Sequence, residues 1–214
     1  MPFVSFEGVD GSGKTMQVAR LHTALAAQGH AVVKTKEPDG GHIGGPVRAI
    51  LVDPARAARL SPTEELLLIS AARYDHVRSV IRPALMRGAW VISDRFYDST
   101  FAFQAFETGV DADLFAVVTR AVVGDLAPDL TIILDTDDVV SRGRRAARPE
   151  APSGVDPSEA VRDFVRIRRG LTSLARDQPE RCRLVDASQS PDAVAAEVLR
   201  LVGSLRLVGA GGGH

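Results

Sequence analysis

Apolar and polar positions along the chain fall into short β-rich runs that alternate with longer stretches of helical spacing, without an internal repeat. Phe3 to Phe6 is apolar apart from one serine and ends shortly before Gly8, the pattern of a buried strand. From Lys14 to Gln28 the apolar residues recur at helical spacing, and Gly29 stands where such a helix would close. Ala31 to Thr35 predicts a second strand and Gly45 to Val52 a short helix. Ser61-Pro62-Thr63-Glu64 combines a capping serine, a proline at the first helical position and a glutamate three residues beyond the cap, which opens a long helix. Ala89 to Ser93, Asp129 to Asp135 (after Pro128) and Arg183 to Asp186 predict three more strands, and Pro191 to Leu201 a closing helix. Strands separated by helices imply an α/β fold with a five-stranded parallel sheet covered on both faces. Ligands of such sheets sit beyond the carboxyl ends of the strands.

Composition narrows the class. Hydrophobic residues make up 45% and charged residues 25% of the 214 residues, an ordinary balance for a globular protein. With a formal net charge of −1 there is no global field to draw the chain to nucleic acid or to a membrane surface, so neither is expected as a partner. A lone cysteine, Cys182, cannot form an internal disulfide and suits a reducing compartment. The N-terminus lacks a basic region followed by an apolar run, and no stretch approaches the ~20 apolar residues that cross a bilayer. A cytoplasmic location is therefore expected. Residues 1–208 are expected to form a single domain, with a surface excursion from Ala146 to Gly154 and a flexible glycine-rich tail over 209–214.

The most specific signal is Gly8-Val9-Asp10-Gly11-Ser12-Gly13-Lys14-Thr15, a full match to G-x-x-x-x-G-K-[ST] lying between a predicted strand and a predicted helix. Gly8, Gly11 and Gly13 let the backbone curl so that successive N–H groups, Ser12 among them, face phosphate oxygens. The helix beginning near Lys14 adds its positive end. Lys14 then reaches the β- and γ-phosphates of a nucleotide, and the Thr15 hydroxyl ligates Mg²⁺. The motif alone establishes nucleotide binding and does not separate a kinase from a GTPase, an ATPase or a nucleotide-dependent synthetase. No Asn-Lys-x-Asp run of the guanine-reading kind is present.

Two further clusters point to a phosphate acceptor. At the end of the third strand stands Asp94-Arg95-Phe96, followed by Asp98-Ser99-Thr100. An arginine there can neutralise a second phosphate facing the loop, and Asp94 is a second candidate for the metal. Farther on, Arg142, Arg144, Arg145 and Arg148 could close over the transferring group as a lid spanning about 142–158. In isolation the first cluster is as readily a surface ion pair and the second a solvated helix face.

Together these stretches resemble the bacterial thymidylate kinase family, over most of the chain. The resemblance is carried by the run from Phe6 to Thr15, Thr35-Lys36-Glu37-Pro38, Arg48 before Leu51, Glu65-Leu66-Leu67-Leu68 and Arg73. Ile81-Arg82-Pro83-Ala84-Leu85, Asp94-Arg95, Pro128-Asp129-Leu130-Thr131 and Leu134-Asp135 complete it. It implies a P-loop fold of three layers, usually a homodimer, that moves the γ-phosphoryl group of ATP onto dTMP. Asp10 would lie near the acceptor sugar and phosphates, Glu37 near the phosphates or metal, and Arg48 and Arg95 on the acceptor phosphate. Arg73 and Gln104 would address the thymine edge, Ser99 and Thr100 would line the pocket, and Phe103 would crowd the 2′ position in place of a family tyrosine. Lys14, Asp10, Arg95, Arg142 and Arg145 would serve transfer.

The chain also departs from the pattern. Ile69 replaces a phenylalanine that stacks on thymine, Asp39 interrupts Glu-Pro-Gly-Gly, Met16 follows Thr15, and Ala105 follows Gln104 where glycine is usual. Asp156-Pro157-Ser158-Glu159 is the nearest run to the lid's Asp-Arg-aromatic-Glu, and Leu171 replaces a frequent tyrosine. The leading expectation is a dTMP kinase. The alternatives are a kinase for a modified or different pyrimidine deoxynucleotide, favoured by Ile69 and Ala105, and a non-catalytic nucleotide-binding module, favoured by the altered lid.

Overall fold

A computed structural model describes residues 1–57, 59–147 and 162–209. Most of the expected lid segment, and the tail beyond Gly209, lie outside the described residues. Among these residues the strands β1 (Phe3–Glu7), β2 (Val32–Lys36), β3 (Trp90–Asp94), β4 (Leu130–Asp135) and β5 (Cys182–Asp186) form one parallel sheet in the order β2-β3-β1-β4-β5. Each strand lies within about one residue of its sequence-based expectation.

Strand periodicity sorts the core into two layers. Val4 and Phe6 of β1, Ile92 of β3 and Ile132 of β4 face helices α1 (Lys14–Ala27) and α10 (Pro191–Gly209), where Val18, Leu21, Val194 and Val198 close the layer. On the opposite face Phe3 and Val91 pack against Val77, Ile81 and Ala84, and Ile133 packs against Ile167 and Leu171 of α9 (Phe164–Asp177). Phe3 and Phe96 meet edge to face with ring centroids 5.0 Å apart. Between those two apolar clusters the same face carries small polar side chains in register: Ser93, Ser5 and Thr131 lie opposite one another across β3, β1 and β4. All three are buried.

Helix α2 (Gly44–Val52) and the short α3 (Pro54–Ala57) lead into α4 (Pro62–His76), which starts as expected. Ser61 Oγ accepts from Glu64 N–H at 3.3 Å while Glu64 returns a carboxylate oxygen to Ser61 N–H at 2.7 Å, a capping pair worth about 1 kcal/mol. The chain then widens into a π-helical turn (Val77–Ile81) before α5 (Arg82–Met86). Pro83 accounts for the widening: it has no N–H for the preceding turn, and its ring excludes a regular α-helical approach to that turn's carbonyl. A second π-helical stretch, Phe101–Glu107, continues α6 (Tyr97–Thr100) and carries Phe103 and Gln104. Helices α7 (Ala112–Val123), α8 (Asp138–Ala146) and α9 complete the layers, and α10 runs past Leu201 to Gly209.

Candidate active site

The polar motifs converge beyond the carboxyl ends of β1, β2 and β3. Gly8 to Gly13 turns sharply between β1 and α1, and its three glycines take positive φ. At Gly11 (φ +87°) the need for glycine is also steric, because a Cβ would lie 2.4 Å from the Ser141 carbonyl oxygen of α8. Ser12 Oγ is buried without a hydrogen-bond partner among the described residues, a polar atom available to a phosphate oxygen. Lys14 curls over the loop, donating to the carbonyls of Gly8 (3.0 Å) and Val9 (3.1 Å). Burial, and then the neighbouring Arg95 charge, push its ammonium down to about 8, against the pull of Asp10, Asp94 and Glu7. The Thr15 hydroxyl donates to Asp94 Oδ2 at 2.7 Å.

Arg95 occupies the most constrained position. It is the non-glycine residue with positive φ (75°) among the described residues, a conformation that costs an L-residue roughly 1–2 kcal/mol. The backbone is held there from three sides. Arg95 N–H donates to Phe6 O (2.9 Å), Ser93 Oγ donates to Arg95 O (2.6 Å), and Phe96 N–H donates to Glu7 (2.8 Å). The guanidinium is aimed at the loop: it donates to Gly8 O (3.1 Å), Ser99 Oγ (2.9 Å) and Asp10 Oδ1 (2.8 Å), and lies 5.0 Å from the Phe103 ring centroid. Glu7, fully buried, also accepts from the Ser99 hydroxyl. Burial and then the nearby Asp98 charge raise its carboxyl to about 8.

Two cavities meet at this point. One, of about 350 Å³, is lined by the loop (Asp10, Gly11, Gly13, Lys14, Thr15) and by Lys36 and Asp94. The other, of about 260 Å³, is lined by Ile69, Arg73, Ser99, Thr100, Phe103 and Gln104. Asp10, Glu37, Arg48 and Arg95 line both. The arrangement can hold two phosphate-bearing ligands with their phosphates facing one another across Arg95.

Most of the expected acceptor residues are thereby brought together, with partners that sequence reading did not foresee. Arg73, 2% exposed, donates to Glu37 (2.8 Å) and to Thr100 Oγ1 (2.8 Å). Burial opposes ionisation of Glu37, but Arg73 and His76 outweigh it and hold the carboxyl below its ordinary range. His76 continues the chain of contacts to Thr35 Oγ1 at 2.7 Å. Arg48 lies 3.7 Å from Asp39, one of the departures from the family pattern, and Lys36 pairs with the same carboxylate.

The arginines of α8 diverge. Arg145 donates to Asp10 O at 2.7 Å and lies 4.1 Å from the Phe164 ring centroid. Arg144 reaches Ala187 O after β5. Arg142 is 73% exposed, pairs with Asp138 and lines neither cavity. Arg148 lies outside the described residues, as do Asp156 and Glu159.

Sequence reading assigned no role to four residues that shape the site. Glu7 ends a buried strand with an ionisable side chain where apolar residues are the rule, which is a readable signal. Glu65 enters the sequence reading only as the head of a family-like run and Arg162 carries no local signature; they pair at 2.7 Å in the acceptor cavity's lining. Arg181 grips Asp98 with two bonds of 2.7 Å and donates to Thr131 Oγ1, tying the helix α6 that carries Ser99 and Thr100 to the sheet.

Comparison with known proteins agrees with this geometry. A family model described as thymidylate kinase matches residues 6–198. A thymidylate kinase of Geobacter sulfurreducens is 42% identical over 200 residues, covering 92% of this chain and 93% of the relative. That of Caulobacter vibrioides is 42% identical over 200 residues, covering 94% and 95%. The crystal structure of thymidylate kinase from Ehrlichia chaffeensis superposes with a TM-score of 0.72 at 32% identity, covering 94% of this chain and 98% of that one. With a family match over nearly the whole chain, relatives of this similarity and the P-loop architecture in place, the chain belongs to the thymidylate kinase family.

Proposed function

We propose that this chain transfers the γ-phosphoryl group of ATP to the phosphate of dTMP, giving dTDP and ADP. The observation that carries this reading is the shared wall of the two cavities, where Asp10, Glu37, Arg48 and Arg95 stand between the P-loop and a pocket of nucleoside size. ATP phosphates lie along the loop, held by its N–H groups, Ser12 and Lys14. The acceptor phosphate faces them on Arg95 and Arg48, and the base extends past Ile69 towards Arg73 and Gln104. Phe103 stands beneath Arg95 and borders the sugar.

A phosphate monoester oxygen is already ionised, so no side chain need remove a proton from it. Transfer then depends on alignment and on cationic groups that spread the developing charge. Lys14 and Arg95 supply charge from opposite sides. Arg145, bonded to the Asp10 carbonyl, is the described α8 arginine closest to the reaction. Asp10 orients Arg95 rather than acting as a base.

Thr15 and Asp94 offer a hydroxyl and a carboxylate oxygen 2.7 Å apart at the loop, a hard-oxygen pair that fits Mg²⁺ completed by phosphate oxygens. Bound there, Mg²⁺ would neutralise phosphate charge.

We further infer a cytoplasmic homodimer. Leu67 and Tyr74 on α4 and Leu114 and Val117 on α7 are exposed large apolar or aromatic residues on two helices that pack together, a face suited to a second copy. No helix among the described residues is long and apolar enough to cross a membrane. Residues 142–158 are proposed as the lid of a single domain.

An ADP-release assay with Mg²⁺-ATP across dTMP, dUMP, dCMP, dGMP, UMP and CMP tests the function. Preference for dTMP is expected. Preference for another pyrimidine would support the second reading, which Ile69 in the pocket lining favours. ATP binding without turnover of any acceptor would refute both.

A further inference from the structure

The part of the acceptor cavity that the ATP side does not share includes Glu65, Ile69, Gln104 and Arg162. Gln104 is 2% exposed, and its Nε2 donates to Glu65 Oε2 at 3.2 Å. The same carboxylate oxygen accepts from Arg162 at 2.7 Å, and Arg162 in turn donates to Glu107 at 3.1 Å. A carboxylate paired with a guanidinium has only lone pairs to offer, so the Gln104 amide can present nothing but its NH₂ to it. Its carbonyl Oε1 is thereby turned the other way, and it accepts no hydrogen bond from the described residues.

A Gln104 carbonyl turned from Glu65 is an acceptor in the cavity lining, suited to a base that offers a donor. Thymine and uracil answer it with N3–H. Cytosine has a lone pair at N3 and an amino group in place of the 4-oxo group, so two lone pairs would meet at Gln104. We propose that Glu65, charge-paired with Arg162, is a positioning residue that locks the Gln104 amide with its carbonyl towards the acceptor base, so that the site selects pyrimidines carrying an N3 hydrogen and rejects cytosine. This rests on the kinase reading above.

The test compares kcat/KM for dTMP, dUMP and dCMP in the unaltered protein and in Glu65→Gln, with the KM for ATP measured alongside. The unaltered protein should use dTMP and dUMP in preference to dCMP. In Glu65→Gln the facing amide can donate or accept, so Gln104 is free to turn. The dTMP-to-dCMP ratio should then fall at least about tenfold, while the dTMP-to-dUMP ratio and the KM for ATP hold. A purely structural role would lower turnover of all three acceptors together, and that result overturns the proposal. So does an unaltered protein that uses dCMP as readily as dUMP, a result that needs no variant to fold. Absence of turnover with every nucleoside monophosphate is a different pattern: it removes the kinase reading, and this inference with it.

Discussion

Gly11→Ala tests whether the phosphate loop is shaped by backbone conformation alone or also by contact with α8. Two costs apply. The first is φ of +87°, which penalises a Cβ by roughly 1–2 kcal/mol. The second is the approach of that Cβ to within 2.4 Å of the Ser141 carbonyl oxygen and 3.1 Å of its carbon. These are main-chain atoms of a helix and cannot rotate aside, so relief requires moving α8 or the loop, an overpacking cost of about 1–3 kcal/mol. The expected loss is about 2–5 kcal/mol in total.

Gly29→Ala supplies the control. Gly29 has φ of +82°, and a Cβ added there would meet no heavy atom within 4 Å, at the end of α1 away from both cavities. It should lose only the conformational share, and the entropic gain of Ala over Gly in the unfolded chain is common to both variants. Thermal unfolding should separate them, at about 2–4 °C per kcal/mol for a domain of this size. Gly11→Ala alone should also weaken ATP binding, because Arg145 and the Asp10 carbonyl move with the displaced contact. Equal melting losses in the two variants would refute the steric half of the reasoning. An unchanged ATP affinity in Gly11→Ala would refute the link to the loop.

Three other outcomes follow from the site. Arg95→Ala should raise the KM for the acceptor far more than that for ATP, and equal losses would contradict its assignment to the acceptor phosphate. The Lys14 ammonium, lowered to about 8, should gain its proton firmly once triphosphate charge lies beside it. ATP binding is thus expected to take up about half a proton at pH 8 and to weaken as pH rises above that value; calorimetry in buffers of different ionisation enthalpy would reveal the uptake, and none at pH 8 would refute it. Arg181→Ala leaves Asp98 buried (1% exposed) without its guanidinium, at a cost of about 3–5 kcal/mol. Adding Asp98→Asn should recover part of the loss in a denaturant titration, and strictly additive losses would count against the pairing.

How much of this was legible in the sequence depends on how locally each feature is encoded. Buried parallel strands read as apolar runs, and the phosphate loop is a contiguous motif whose chemistry depends on backbone curl, so both were accessible. The Ser61 cap was readable for the same reason. Helices α8 and α9 were not, because their arginine-rich surfaces mask the few residues, such as Ile167 and Leu171, that pack on the sheet. The arginine cluster illustrates a second limit. Residues 142, 144 and 145 are close in sequence, yet successive positions on a helix diverge by about 100°, and the three side chains reach solvent, Ala187 and Asp10 respectively. The acceptor pocket is the hardest case. Glu37, Arg73, Gln104 and Arg162 come from four separate segments, and the bonds that orient them exist only after those segments meet.

Because β1 and β3 are neighbours, with Phe6 opposite Asp94 and Arg95 N–H bonded to Phe6 O, the two halves of the reaction are suspended from adjacent rails about 4.8 Å apart. Main-chain hydrogen bonds therefore gauge the spacing between the phosphate loop and the backbone that carries Arg95. Such a gauge cannot drift gradually, since the smallest change of strand register moves a whole residue and turns every side chain to the other face. Ile69, in the pocket wall, can be exchanged without touching that spacing, since it lies on neither strand.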